Sequence, residues 1–321
     1  MNLTNPLRRW RRAACTLIAA GLLAACGGGV SSDDFNPVRI LSFGDEASVL
    51  DDSASVGNAR KYSINGLDDD DKLDCAVNRI WIQIVAAAYG HTFPQCNPLK
   101  TADLPSRAYA VAGARVADVE AQITAHLAGG SGFTGDDLVT VFVGTHDVLD
   151  AYGDRAGTTT AALVERIEAR GVALGEQINR IAKAGGKVLV VTVPDLGASP
   201  FGLAEEKAEA GRAALLTRLA ERFNARLRTT LPDDGGRSIG LVLYNELVDA
   251  LLDEDSTSFG NKTDAACDPT KAPVLTACTS DTLVKDAETT GYMWADTIWP
   301  SSGVQARLGT LATNQSRRNP F

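Results

Sequence analysis

Histidine is scarce in this 321-residue chain: there are three, His91, His126 and His146, and none lies in the second half. Basic clusters are also missing beyond the first twelve residues, and the formal charge is −9. That balance excludes nucleic acid as a partner, because such binding draws most of its affinity from neutralising phosphates. The N-terminal apolar run, Ala13 to Ala25, has thirteen residues, short of the ~20 that a transmembrane helix needs. No C-x-x-C pair is present, which weighs against a structural zinc site. The 30 glycines and 12 prolines are spread along the chain, so nothing reads as a long linker, and no internal repeat is visible. What remains, 45% hydrophobic and 22% charged residues, is the composition of a soluble body with one large core.

The N-terminus reads as an export signal over residues 1–25, with Arg8, Arg9, Arg11 and Arg12 ahead of the short apolar run. It ends in Leu23-Ala24-Ala25-Cys26, which resembles the bacterial lipoprotein signal, where the cysteine is acylated and becomes the mature N-terminus. The resemblance implies lipidation at Cys26, a tether over residues 26–36, and attachment to a membrane as the partner. Gly27 after the cysteine implies the outer membrane of a bacterial envelope, facing the periplasm or the cell surface. Removing the four arginines shifts the formal charge from −9 to −13, 27 basic against 40 acidic residues. Four cysteines remain besides Cys15 and Cys26, an even number suited to an oxidising compartment. Of three possible connectivities, Cys75 with Cys96 and Cys267 with Cys278 closes the shortest loops.

Apolar runs with strand character occur at Val38 to Phe43, Ala108 to Ala112, Leu138 to Val143, Lys187 to Val193 and Gly240 to Tyr244. Helical periodicity predicts helices over Cys75 to Tyr89, Val116 to Leu127, Thr159 to Ala184 and Glu205 to Thr229, and a last one carrying Val304, Leu308 and Leu311. Strands alternating with helices indicate an α/β fold of βαβ units, with a parallel sheet covered on both faces. Five strands suit a doubly wound three-layer α/β/α sandwich of order 2-1-3-4-5 over residues 37–315, followed by a tail over 316–321. Its ligand crevice would open at the carboxyl ends of the first and third strands.

The loops at those ends carry Phe43-Gly44-Asp45-Glu46, Tyr109-Ala110-Val111-Ala112-Gly113-Ala114 and Gly144-Thr145-His146-Asp147; near the C-terminus stands Asp296-Thr297-Ile298-Trp299-Pro300. In this order they resemble the four blocks of the SGNH hydrolases, the GDSL lipases and esterases. The family pattern is Phe-Gly-Asp-Ser, Tyr-Ala-x-x-Gly-Ala, Gly-x-Asn-Asp and Asp-x-x-His-Pro. The resemblance implies an ester hydrolase with a nucleophilic Ser, a general-base His oriented by Asp, and Gly and Asn donors to the oxyanion. Here those positions hold Glu46, Trp299, Asp296, Gly113 and His146.

Each change has a chemical consequence. Trp299 offers an indole N–H and no basic nitrogen to take a proton from a hydroxyl. Glu46 puts a carboxylate where positive dipoles should meet a developing oxyanion. His146 is the mildest change, since an imidazole N–H still donates. The expectation is therefore a lipid-anchored envelope pseudoenzyme, without cofactor, that serves as a binding or assembly module for an envelope protein or an acylated or carbohydrate ligand. The alternative is an ester hydrolase working with a Glu46, His146 and Asp296 site, in which carboxylate and imidazole act on water. The same three residues would also suit a Zn²⁺ or Mn²⁺ ion. Ser48 reads as a loop or cap serine, and His91 and His126 as exposed residues at helix ends, where an imidazolium suits the dipole. Asp45, Asp147 and Asp195 read as structural, bonding to backbone in the strand-end loops. The run Asp68 to Asp71 lacks the alternating spacing of a calcium loop and reads as solvated.

Overall fold

The computed structural model describes residues 35–318 other than 131, 233–236 and 254. The expected signal segment, the lipidation site Cys26 and most of the tether lie outside the described residues. Five strands, β1 (Arg39–Gly44), β2 (Arg107–Ala108), β3 (Asp137–Phe142), β4 (Lys187–Val191) and β5 (Ile239–Val242), form one parallel sheet of order β2-β1-β3-β4-β5. The order is the expected one, with register Ile40↔Leu138, Phe43↔Val141 and Val139↔Val188. Alternation along each strand splits the core in two. Ile40, Leu138, Leu189 and Val191 face one helical layer, and Leu41, Phe43, Val139, Val141, Val188 and Val190 face the other. Each such side chain, removed from water, contributes about 1.5–3 kcal/mol against chain entropy.

The first layer holds α1 (Trp81–Ala88), and the second holds α2 (Val116–Ala128), α3 (Thr145–Gly153), α4 (Thr160–Lys183), α5 (Pro200–Ala208) and α6 (Arg212–Thr230). On the first side also lie α7 (Tyr244–Leu252) and the closing helix α8 (Ser302–Arg318), whose Val304 and Leu308 reach the same core as Trp81 and Val85. A two-stranded sheet, β6 (Asn261–Ala265) with β7 (Tyr292–Trp294), supports the loop that carries Asp296. No described helix is long and apolar enough to cross a membrane. The disulfides are those expected from proximity, with Cα separations of 5.7 Å for Cys75–Cys96 and 5.9 Å for Cys267–Cys278.

Several boundaries differ from the sequence expectation. The helix expected from Cys75 begins only at Trp81, because Cys75 is pinned to Cys96 and Asn78 has φ of 50°. The carbonyls of Cys75, Val77 and Asn78 accept hydrogen bonds from the buried Lys61 ammonium instead of helical amides. The helix expected over Glu205 to Thr229 is two, divided at Gly211 with φ of 89°; the first starts at Pro200, with Ser199 as its N-cap. The second strand is cut to Arg107–Ala108, since Tyr109 and Val111 still donate to the carbonyls of Ser42 and Gly44 but the chain then turns away at Gly113. β4 stops at Val191 because the Asn224 side chain takes both backbone groups of Val193. Tyr244 opens a helix rather than ending a strand. The last helix runs to Arg318, beyond the expected boundary at 315. Helices α3 and α7 and the β6–β7 pair were not expected from periodicity, being too short to show it.

Candidate active site

Two glycines set the strand ends. Gly44 has φ of 136°, and a Cβ there would lie 1.9 Å from the carbonyl oxygen of Phe142. Gly144 has φ of 125°, and its Cβ would meet the Phe223 ring at 2.6 Å. Only glycine allows both turns, and both are followed within two residues by the side chains of interest. After Gly44, Asp45 accepts from the Ala47 amide and caps a single 3₁₀ turn, Glu46–Ser48. After Gly144, helix α3 starts and carries His146 in its first turn.

The Glu46 carboxylate is thereby placed between the two other loops. Its Oε1 accepts from the Gly113 amide at 2.8 Å, and its Oε2 accepts from His146 Nε2 at 2.8 Å. The Gly113 amide and the His146 ring nitrogen, which the sequence resemblance matches to the family's oxyanion donors, thus share one carboxylate as acceptor. A carboxylate accepts only; the proton in this contact is therefore on His146 Nε2. Glu46 is 7% exposed. Trp299, 8% exposed, stands with its ring centroid 5.8 Å from that of His146. In the sequence expectation Glu46, His146 and Asp296 converge. The structure pairs the first two, while Asp296 turns its Oδ1 to the amides of Ile298 and Trp299, at 2.8 Å and 2.6 Å. Among the described residues no group of three His, Cys, Asp or Glu side chains could hold a metal ion.

Burial dominates the electrostatics around the pair. Asp45, fully buried, has its pKa raised well above the carboxylate range by desolvation and by the Glu46 charge. Asp296 is raised for the same two reasons, partly offset by the two amides it accepts from. Asp147 is raised by burial against its bond to the Val116 amide. Asp45, Asp147 and Asp195 bond to backbone, as expected; Asp195 takes Gly197 N and the Thr217 hydroxyl.

Two histidine expectations change. His126 is 2% exposed, not a surface residue: it bonds the Tyr109 hydroxyl and the Gly132 carbonyl and packs on Phe133, so it belongs to the core under β2. His91 is half-buried, with Nε2 donating to the Pro37 carbonyl. Ser48 is fully buried and accepts from the Trp81 indole, tying the Glu46 turn to α1. The Tyr62 phenol, in the approach to α1, is raised by burial and by the charges of Glu46 and Asp51.

Comparison with known proteins agrees with the family resemblance. The GDSL-like Lipase/Acylhydrolase profile matches residues 52–237, a span that includes Gly113 and His146 and excludes Glu46, Asp296 and Trp299. No curated protein matches the chain. Similar solved structures include the lipase Lip_vut3 from a goat rumen metagenome, 10% identical over 87% of this chain and 97% of the other, with TM-score 0.48. Axe2, an acetylxylan esterase from Geobacillus stearothermophilus, is 10% identical over 88% and 96%, with TM-score 0.44. A lipase/acylhydrolase from Enterococcus faecalis is 15% identical over 88% and 98%, with TM-score 0.41. With its profile match covering more than half of the chain, this protein belongs to the GDSL-like lipase/acylhydrolase family, the SGNH hydrolases.

Proposed function

We propose that this chain is a lipid-anchored member of the family, tethered through Cys26 in a bacterial envelope, whose Ser–His acyl-transfer chemistry has been replaced by an internal plug. The observation that carries the reading is the pairing of both Glu46 carboxylate oxygens with the two oxyanion donors, Gly113 N–H and His146 Nε2–H. A hole that already holds an anion does not stabilise a second one developing on a substrate carbonyl. Loss of one oxyanion donor costs about 10²–10³ in rate, and here the nucleophile and the base are absent as well. The remaining role is that of a binding or assembly module in the envelope, for a protein or an acylated or carbohydrate ligand.

The second reading, ester hydrolysis by a Glu46–His146 pair acting on water, is favoured by the 2.8 Å contact itself. In that contact Nε2 is spent on Glu46, so the nitrogen that would take a proton from water is His146 Nδ1. Steady-state and stopped-flow assays of the full chain with p-nitrophenyl acetate separate the two. The plugged reading expects no burst and a rate equal to that of a Glu46→Ala, His146→Ala variant. Turnover that falls at least 100-fold in that variant overturns it.

A further inference from the structure

A second concavity lies away from the Glu46 crevice, along the face of α1 that carries Gln83, Ala86 and Ala87. It is a cleft of about 390 Å³ running past Gln83, Ala86 and Ala87 to His91, with Phe93 and the Cys75–Cys96 disulfide at its floor. The volume is in the range of small-ligand sites. Gln83, Ala86 and Ala87 share one helix face by their i, i+3, i+4 spacing, and the two alanines leave that face shallow. Gln83 contributes its stem, since both ends of its amide are engaged, by Ile80 N and the Cys75 carbonyl. Leu99, 86% exposed, forms an apolar lip.

The ends of the cleft are polar and unequal. At one end stands Arg79, whose Nε donates to the Ala76 carbonyl; its guanidinium has no ion-pair partner among the described residues. Asp74 lines the same end, with its Oδ1 accepting from the Ala76 amide. Arg79 is the cation of the cleft and makes no ion pair with Asp74 or any other described residue. At the other end His91 is held by the Pro37 carbonyl, at 2.7 Å. That carbonyl precedes β1, whereas Glu46 follows it; a strand of six residues separates the two by about 20 Å. The eight residues of α1 give the apolar floor a length of about 12 Å.

We propose that this cleft binds a single-chain alkyl carboxylate of medium length, with its head on the Arg79 guanidinium and its chain along Ala86, Ala87 and Phe93 toward His91. A guanidinium pairs a carboxylate bidentately, and the floor supplies the apolar area that a chain would bury. The site is separate from the plugged crevice and does not depend on how that crevice is read.

The test is isothermal titration calorimetry of the full chain with decanoate, and with decanol as the neutral counterpart. Arg79 and Ala87 are both exposed, so Arg79→Gln and Ala87→Phe leave the core untouched. Expected are saturable one-to-one binding of decanoate, a loss of about tenfold in Arg79→Gln, and no binding in Ala87→Phe, whose ring fills the groove. Decanol should bind wild type and Arg79→Gln equally. Absence of saturable binding, or binding that Ala87→Phe retains, overturns the site; loss in Ala87→Phe with no change in Arg79→Gln overturns the assignment of an anionic head.

Discussion

Glu46 and His146 are one hundred residues apart in sequence and joined by a hydrogen bond of 2.8 Å, with the Gly113 amide completing the carboxylate's coordination at the same distance. On the proposed reading these two donors are the family's oxyanion hole, and the Glu46 carboxylate fills it.

Removing the carboxylate should therefore both weaken the fold and open a binding site. Glu46→Ala leaves Gly113 N–H and His146 Nε2–H without their acceptor, a loss of about 1–3 kcal/mol measured by urea unfolding. Formate or acetate, small enough for the vacated position, should restore part of that stability in the variant and none in wild type, because a ligand that binds only the folded state stabilises it by mass action. Equal responses of the two proteins would show that the hole is not a discrete anion site.

Asp296 gives a pH-dependent prediction. Its folded-state pKa lies above the unfolded value, through burial and the Glu46 charge. Between the two values the folded state binds more protons, so this group's contribution falls as pH rises through the window and is unfavourable at neutrality. Asp296→Asn keeps an oxygen for the Ile298 and Trp299 amides and removes the charge. The variant should be more stable than wild type at pH 7, and the difference should shrink as pH falls toward 4. A constant difference across that range would mean that Asp296 is not held in this way.

Lys61 titrates in the opposite sense. Full burial pushes its ammonium down to about 7 from an ordinary 10.5, although it donates to the carbonyls of Cys75, Val77 and Asn78. Above pH 7 the unfolded chain binds this proton and the folded chain releases it, so stability gained from this group rises with pH up to the unfolded value. Below pH 7 its contribution is constant. The difference in unfolding free energy between wild type and Lys61→Met should therefore grow in favour of wild type from pH 7 to pH 9, and stay flat from pH 6 to pH 7.

The sheet was legible because its information is local. Short β-branched and apolar runs such as Leu138 to Val143 read as strands buried on both faces, and the helical stripes between them indicate parallel crossovers. The strand-end loops were legible through the order of their blocks. What escaped was non-local. The helix expected from Cys75 starts late because Lys61, many residues earlier, takes its carbonyls. His126 sits near Gly129 as a surface residue would, yet Tyr109 and Phe133 enclose it. The pairing of Glu46 with His146 could be placed by topology. The capture of Gly113 N–H by the same carboxylate could not, since it depends on the direction that the Asp45-capped turn gives to Glu46.

The strongest demand on this reading is that the family's chemistry be recoverable. Glu46→Ser alone empties the hole and supplies a hydroxyl, but Trp299 has no basic nitrogen to activate it, so this variant should remain at background. The combination Glu46→Ser, His146→Asn, Trp299→His restores nucleophile, second oxyanion donor and base together. Asp296 Oδ1 already accepts from the backbone amide of residue 299, so the carboxylate that would orient the new imidazole is three residues away on the same turn. Because triad members act as a unit, the gain should appear only in the triple variant, as a burst followed by slow turnover of p-nitrophenyl acetate. An inert triple variant that folds with wild-type stability would mean that the crevice around Gly113 and Asp296 has also lost the geometry of acyl transfer.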